Sequence, residues 1–129
     1  MTEPTRAAAP NASPAAHHST EGQAHVLALV LPESVASEDF DPLNNKVLSE
    51  LASAPAGQWI LDLTDTQYAG SALLGMLVNV RQRVLNAGGR VVLCGLSPRL
   101  RHVVQTCSLD RLFTLVKSRP DAVRHLNGG

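Results

Sequence analysis

The stretch TDTQYAGSALLGMLVNVRQRV, from Thr64 to Val84, passes from a polar loop into an apolar pattern with helical spacing. Counting 100° per residue from Ser71, aliphatic side chains stack on one side of the helix. These side chains are Leu73, Leu77, Val80 and Val84, and the stripe is widened by Leu74, Val78 and Leu85. The pattern predicts an amphipathic helix that ends near Asn86, before NAGG, and packs on a sheet.

Strand-like and helix-like segments alternate around this helix. Apolar runs with strand character are AHVLALVL (24–31), QWILDLT (58–64), RVVLCGL (90–96) and RLFTLV (111–116). Segments with helical spacing or helix-start signals are SEDFDPLNNKVLSELASA (37–54), SPRLRHVVQTC (97–107) and SRPDAVRHL (118–126). Such alternation predicts an α/β fold with helices packed on a mostly parallel sheet.

The composition limits the classes of function. A chain of 129 residues is the size of one domain, and its 11 basic and 11 acidic residues balance. A neutral chain with 3% aromatic residues argues against nucleic-acid binding. No apolar run approaches the roughly 18 residues that span a bilayer. These features predict a cytoplasmic protein without direct membrane insertion.

The two ends of the chain differ from its middle. Residues 1–22, MTEPTRAAAPNASPAAHHSTEG, contain no Leu, Ile, Val, Phe, Tyr or Trp. Such a segment buries too little apolar surface to offset its ordering entropy, so we expect a disordered extension. The folded domain is predicted to comprise residues 23–126, followed by a short tail at 127–129.

The residues do not indicate an enzyme. Ser71 lies outside a GxSxG elbow, and no folded-region histidine is placed beside it, so a nucleophile with a base is not expected. Asp62 and Asp65 are two nearby carboxylates, but Asp62 lies in an apolar strand and is expected to bond adjacent loop amides. No catalytic residue is predicted.

Metal, redox and nucleotide sites are also not indicated. Cys94 and Cys107 lack CxxC spacing and are predicted to be reduced, structural thiols. We expect no metal site and no cofactor, since a zinc site needs about four nitrogen or sulfur ligands. Nucleotide binding has no GxxxxGK[ST] loop to support it.

The side of the central helix opposite the aliphatic stripe is flat and uncharged over its first two turns. It carries Ser71, Gly75 and Asn79, with Ala72 and Met76 along its edge. A glycine inside a helix costs about 0.5–1 kcal/mol relative to alanine. Gly75 therefore predicts a close approach there, either by another element of the domain or by a partner protein.

Two roles for Ser71 stay open on chemistry alone. Serine is a favoured helix N-cap, and capping contributes about 1 kcal/mol. Alternatively, a phosphate on Ser71 would find free amide donors at the helix start, which makes the residue a candidate phosphorylation site.

The segment from Trp59 to Phe113 closely resembles the STAS domain, which is found in anti-sigma factor antagonists and in sulfate transporter tails. The resemblance rests on ILDLT, YAGSALLG, AGGRVVLCGLSPRLRHVVQ and SLDRLF, and it extends over roughly Gln23 to Val123. It implies an α/β fold with a mixed sheet whose N-terminal strand runs antiparallel at one side. It implies a bacterial switch protein that binds an anti-sigma factor, often a serine kinase, with a phosphatase reversing the phosphorylation.

The resemblance places Ser71 on the serine that the kinase modifies. Family members commonly read Asp-Ser-Ser-Gly there, whereas this chain reads Gly70, Ser71, Ala72 and Leu73. Together with the uncharged helix start, the resemblance predicts a partner-binding surface. Its predicted residues are Asp65, Tyr68, Gly70, Ser71, Ala72, Gly75, Met76 and Asn79. The alternative is an accessory subunit of a transporter or lipid-transport complex, which needs no serine switch and which Gly70 and Ala72 suit.

Overall fold

A computed structural model describes residues 14–128 of the chain. The strands are β1 (Ala15–Glu21), β2 (Ala24–Val30), β3 (Gln58–Asp62), β4 (Arg90–Cys94) and β5 (Thr114–Val116). The helices are α1 (Ser37–Ala52), α2 (Ser71–Asn86), α3 (Pro98–Thr106) and α4 (Arg119–Gly128), with a 3-10 turn at Leu109–Arg111. No helix within residues 14–128 is long and apolar enough to cross a membrane.

The five strands form one mixed sheet in the order β1-β2-β3-β4-β5. β1 pairs antiparallel with β2, and the other neighbours are parallel, with Leu27, Leu61 and Leu93 in one register row. This confirms the predicted α/β class and the mixed, mostly parallel sheet with its N-terminal strand antiparallel at one edge.

The sheet is covered on both faces. The buried side chains of α1, α2 and α3 pack against one face, around Leu27, Trp59 and Leu61. The other face, with Val26, Ile60 and Val92, is covered by Ala122 and Leu126 of α4. Because each central strand alternates between two apolar faces, its sequence reads as a near-continuous apolar run.

The predicted disorder of residues 1–22 is wrong for Ala15–Glu21, which form β1. The strand pairs with β2 along its whole length, although it has no large aliphatic residue. His18 packs on Trp59, with ring centroids 5.0 Å apart. Its Nδ1 lies 2.7 Å from Oε1 of Glu50, and its Nε2 lies 3.0 Å from Nδ1 of His25. In β1, contacts of the His18 ring thus take the place of the buried aliphatic side chains that other strands have. Residues 1–13 lie outside the described range.

Three other predictions are corrected. Residues 127 and 128, predicted as tail, continue helix α4. Leu85 was expected to widen the buried stripe of α2, yet it is 44% exposed. Met76, expected on the exposed edge, is 5% exposed. The reason is that α1 packs beside α2, which shifts the buried arc toward Met76 and leaves Leu85 at the surface.

The cysteines differ in environment. Cys94 is buried, and burial raises the pKa of its thiol to about 12, so the thiol stays neutral. Cys107 follows α3 and is exposed, so it lacks the buried packing that Cys94 has.

A hydrogen-bonded carboxylate joins the end of β3 to α4. Oδ1 of Asp62 accepts from the Thr64 backbone N–H at 3.0 Å and from the Thr64 hydroxyl at 2.6 Å. Oδ2 accepts from Nε and Nη2 of Arg119 at 3.0 and 2.8 Å. The predicted bond to a loop amide is confirmed, while Arg119 was not anticipated. Burial acts to raise the pKa of Asp62, but the bonds from Thr64 and Arg119 outweigh it and lower the pKa.

We predict that Asp62→Asn lowers the free energy of unfolding by about 2–3 kcal/mol at neutral pH, because it removes a charged acceptor. The folded-state pKa lies below the unfolded value of about 3.9, so the carboxylate stabilises the fold above that pH. This contribution is lost as the pH falls through the lowered folded-state pKa. Urea denaturation should therefore show the gap between wild type and variant closing below about pH 4. A gap that stays constant would contradict the assignment.

Candidate protein-docking face

The loop between β3 and α2 is held against the carboxyl end of β2. The hydroxyl of buried Thr66 donates to the Leu29 carbonyl at 2.7 Å. Leu31 N–H donates to the Asp65 carbonyl at 3.2 Å, and the Gln67 N–H donates to the Leu31 carbonyl at 2.9 Å. These three bonds fix the chain just before Ser71. Sequence analysis missed Thr66, whose only signal was a threonine between two polar loop residues.

The first turn of α2 differs from the predicted cap. Gly70 is the N-cap, with extended backbone at φ −107° and ψ 176°, and Ser71 is the first helical residue. The Ser71 side chain is exposed and its hydroxyl makes no hydrogen bond with any residue in 14–128. The cap prediction for Ser71 is therefore wrong, since a capping side chain belongs to the preceding residue. Within the described residues, no hydrogen-bond partner therefore competes for the Ser71 hydroxyl.

Tyr68 explains why glycine stands at position 70. Its ring packs on Phe40, with centroids 5.2 Å apart. A Cβ on Gly70 would lie 2.6 Å from Cζ of Tyr68 and closer still to the hydroxyl oxygen. No side chain fits there while the ring keeps this position. Tyr68 and Gly70 thus form one steric unit at the helix start.

A groove of about 220 Å³ runs beside Ser71, between α1 and α2. It is lined by Phe40, Asp41, Asn44, Ala72, Gly75, Met76 and Asn79. A Cβ built on Gly75 would meet no atom within 4 Å. Of the two explanations for this glycine, close approach by another element of the domain is wrong for the described residues.

The predicted surface residues are brought together, but with different exposure. Ser71, Ala72 and Gly75 are exposed; Asp65, Tyr68, Gly70 and Asn79 are partly buried. Met76 is nearly inaccessible and belongs to the core at the groove, which corrects its placement on the exposed edge. We use the name docking face for the exposed and partly buried residues of this group together with the α1 residues of the groove.

The α1 side of the docking face is acidic, which the sequence analysis did not foresee. Asp41 lines the groove, and Glu38 and Asp39 precede it in the first turn of α1. None of the three forms an ion pair with another described residue. The uncharged surface predicted from α2 alone thus has a negatively charged border. The segment SEDFDP carried this signal in the sequence.

The family model and the solved structures that match this chain agree on one fold. The family model of the STAS domain matches residues 17–122. No curated protein matches the chain. An anti-sigma-factor antagonist (STAS) domain protein from Planctomyces limnophilus is similar in structure, with a TM-score of 0.77 and 19% identity. That match covers 87% of this chain and 97% of that chain.

Two further solved structures show how widely the fold occurs. The phosphorylated form of the Bacillus cell fate determinant SpoIIAA matches with a TM-score of 0.63 and 15% identity, covering 87% of this chain and 99% of that one. The murine anion transporter Slc26a9 matches with a TM-score of 0.70 and 10% identity, covering 83% of this chain and 18% of that one. At such identities the likeness establishes the fold alone.

We predict that Gly70→Ala destabilises the wild-type domain more than it destabilises a Tyr68→Ala background. The clash with the ring is present only in the first case, whereas the poorer N-cap is present in both. The coupling free energy from a double-mutant cycle in urea should be about 1 kcal/mol. A coupling energy near zero would show that the ring moves aside freely.

Proposed function

The chain belongs to the STAS domain family, and from that premise we propose that it is a regulatory protein-binding domain of the anti-sigma factor antagonist type. In this proposal it binds an anti-sigma factor through the docking face, in the bacterial cytoplasm, and thereby acts on transcription. The proposal is supported by solved structures of the same fold that are described as anti-sigma factor antagonists. It does not involve catalysis by this chain.

The observation that carries the proposal is the open groove beside Gly75. A helical glycine that no neighbouring element of the described domain requires has an unexplained cost in stability. A partner that fits its surface against the helix backbone supplies the reason. The loop before the helix is held by Thr66, so this surface is already ordered before binding, which reduces the entropy lost on association.

The charges of the docking face define the partner's chemistry. Glu38, Asp39 and Asp41 lie along one side and are not neutralised within residues 14–128. We therefore expect lysine or arginine side chains on the partner where it meets α1. Such pairs raise the association rate and depend on ionic strength.

Phosphorylation of Ser71 is the proposed regulation of this face. The kinase would be the anti-sigma factor itself, and a phosphatase would restore binding. The exposed hydroxyl has no competing bond within the described domain, and the helix start offers amide donors to a phosphate. A group with a charge of about −2 at the centre of an interface must lose water on docking, which disfavours the complex.

One alternative function keeps a specific observation in its favour. An accessory subunit of a transporter or lipid-transport complex needs no phosphoserine, and Gly70 and Ala72 depart from the serine motif that the resemblance implies. The same fold is present in a small part of an anion transporter. Co-purification with a permease from solubilised membranes, with no anti-sigma factor present, would favour this alternative.

We predict that two substitutions at Gly75 separate its effect on stability from its effect on binding. Alanine should raise the free energy of unfolding by about 0.5–1 kcal/mol, because the site is helical and open. Gly75→Arg should abolish binding of the anti-sigma factor, measured by titration calorimetry after its identification in affinity purifications from native cells. Gln82→Arg, on the exposed side of the same helix, is the matched control and should bind normally. Equal binding by the two arginine variants would exclude the groove.

For the switch, we predict that Ser71→Asp weakens binding of the anti-sigma factor at least about tenfold, whereas Ser71→Ala binds like wild type. Incubation of wild type with the anti-sigma factor and ATP should add the mass of one phosphate, and Ser71→Ala should gain none. If the protein from stressed and unstressed cells always lacks the phosphate, the switch is wrong while docking still stands.

A further inference from the structure

A second groove lies at the opposite end of the sheet from Ser71. Its volume is about 200 Å³. The residues that line it include Arg81, Leu85, Arg90, Leu112 and His125. Leu85 and Leu112 are 44% and 40% exposed, and they are the large hydrophobic residues most open to solvent within residues 14–128. We call this surface the basic groove. Exposed leucines that lie together in one concave site indicate a contact surface, whereas single exposed leucines scattered over a surface do not.

The cations of the basic groove are fixed in place but not neutralised. Nε of Arg81 donates to the Leu112 carbonyl at 2.8 Å, and Nη1 of Arg90 donates to the Leu126 carbonyl at 3.1 Å. Neither arginine forms an ion pair with a described residue. Their remaining N–H groups are therefore available to an external carboxylate. No acidic residue lines the groove.

Charge is strongly segregated along the neutral chain. Asp110 and Asp121 are the only two of its 11 acidic residues that follow Asp65. Arg6 and Lys46 are the only two of its 11 basic residues that precede it. In the folded chain some of these charges pair with each other, as Arg119 does with Glu21 and Asp62. The acidic first turn of α1 and the arginines of the basic groove form no such pair with a described residue.

The fold places the two charged surfaces at opposite ends of the sheet. The acidic turn of α1, with Glu38, Asp39 and Asp41, follows β2 and lies where the parallel strands end. The basic groove includes Arg90, the first residue of β4, and Leu85 in the last turn of α2, where the parallel strands begin. The two surfaces cannot meet within one molecule. A second copy of the chain brings them together.

We propose that the basic groove binds the acidic first turn of α1 from a second copy of this chain, in a head-to-tail contact. Carboxylates of one copy pair with Arg81 and Arg90 of the other, while the exposed leucines lose contact with water. Such an interface uses two different surfaces, so it leaves one of each free and can add further copies. The inference rests on the charges and exposed leucines of the free chain and does not require the proposed anti-sigma partner. Because the acidic turn also borders the docking face, self-association and that partner would compete for it.

The test is sedimentation velocity of the full chain at low and high salt over a wide concentration range. Wild type should associate at low salt and dissociate toward monomer at about 1 M salt. Leu85→Asp should weaken association at least about tenfold, whereas Gln105→Asp, an equally charged change on exposed α3, should leave it unchanged. Thermal unfolding checks that each variant is folded, and Leu112→Asp gives a second way to block the groove.

The decisive step mixes two variants that each lack one surface. Leu85→Asp keeps the acidic turn, and the double variant Glu38→Lys/Asp39→Lys keeps the basic groove. Each alone should be monomeric, and the mixture should form one-to-one dimers and nothing larger. A wild type that stays monomeric at low salt would overturn the proposal. So would a Glu38→Lys/Asp39→Lys variant that still self-associates, because the groove would then bind something other than the acidic turn.

Discussion

The carboxylate of Asp62 is the constraint on which the end of the domain that carries the docking face depends. Asp62 is the last residue of β3. Its carboxylate accepts hydrogen bonds from Thr64 at the start of the loop and from Arg119 of α4, the helix that covers the sheet face away from α2. Gly95 lies against the same turn: a Cβ there would meet the Thr64 nitrogen at 2.9 Å and Oδ1 of Asp62 at 3.1 Å. With φ at +77°, this glycine is required by its backbone as well as by space. One buried charge therefore joins the ends of two central strands, a loop and a helix.

Between Asp62 and Ser71, several residues are held in place by hydrogen bonds or by packing. Thr64 is bonded to Asp62, and Thr66 to the carbonyl of Leu29. Tyr68 then packs on Phe40 and covers Gly70. The loop thus has little freedom although most of its residues are polar. A surface held in this way suits recognition of a protein, because little ordering remains to be done when the partner arrives.

The sequence predicted features that repeat along the chain, and it missed features that depend on one contact between distant residues. The stripe of α2 follows from periodicity, and Leu73, Leu77, Val80 and Val84 are buried as expected. At the border of the stripe, Met76 is buried and Leu85 is exposed, which is the reverse of the prediction. This difference depends on the position of α1, which the periodicity of α2 does not reveal. β1 was missed because its burial comes from imidazole rings and small residues instead of large aliphatic ones.

At the site, sequence reasoning found the helix start and the exposed glycine, but it assigned the cap to the wrong residue. Serine and glycine are both acceptable at an N-cap, and the backbone makes Gly70 the N-cap and Ser71 the first helical residue, while the Tyr68 ring occupies the space of a side chain at position 70. The same ring sets a constraint on how this sequence can change over time. The aspartate that the family resemblance leads one to expect at position 70 requires the Tyr68 ring to move, because its Cβ would overlap the hydroxyl end of that ring. A smaller residue at position 68 removes that overlap, so the cost of a side chain at position 70 depends on which of the two substitutions occurs first.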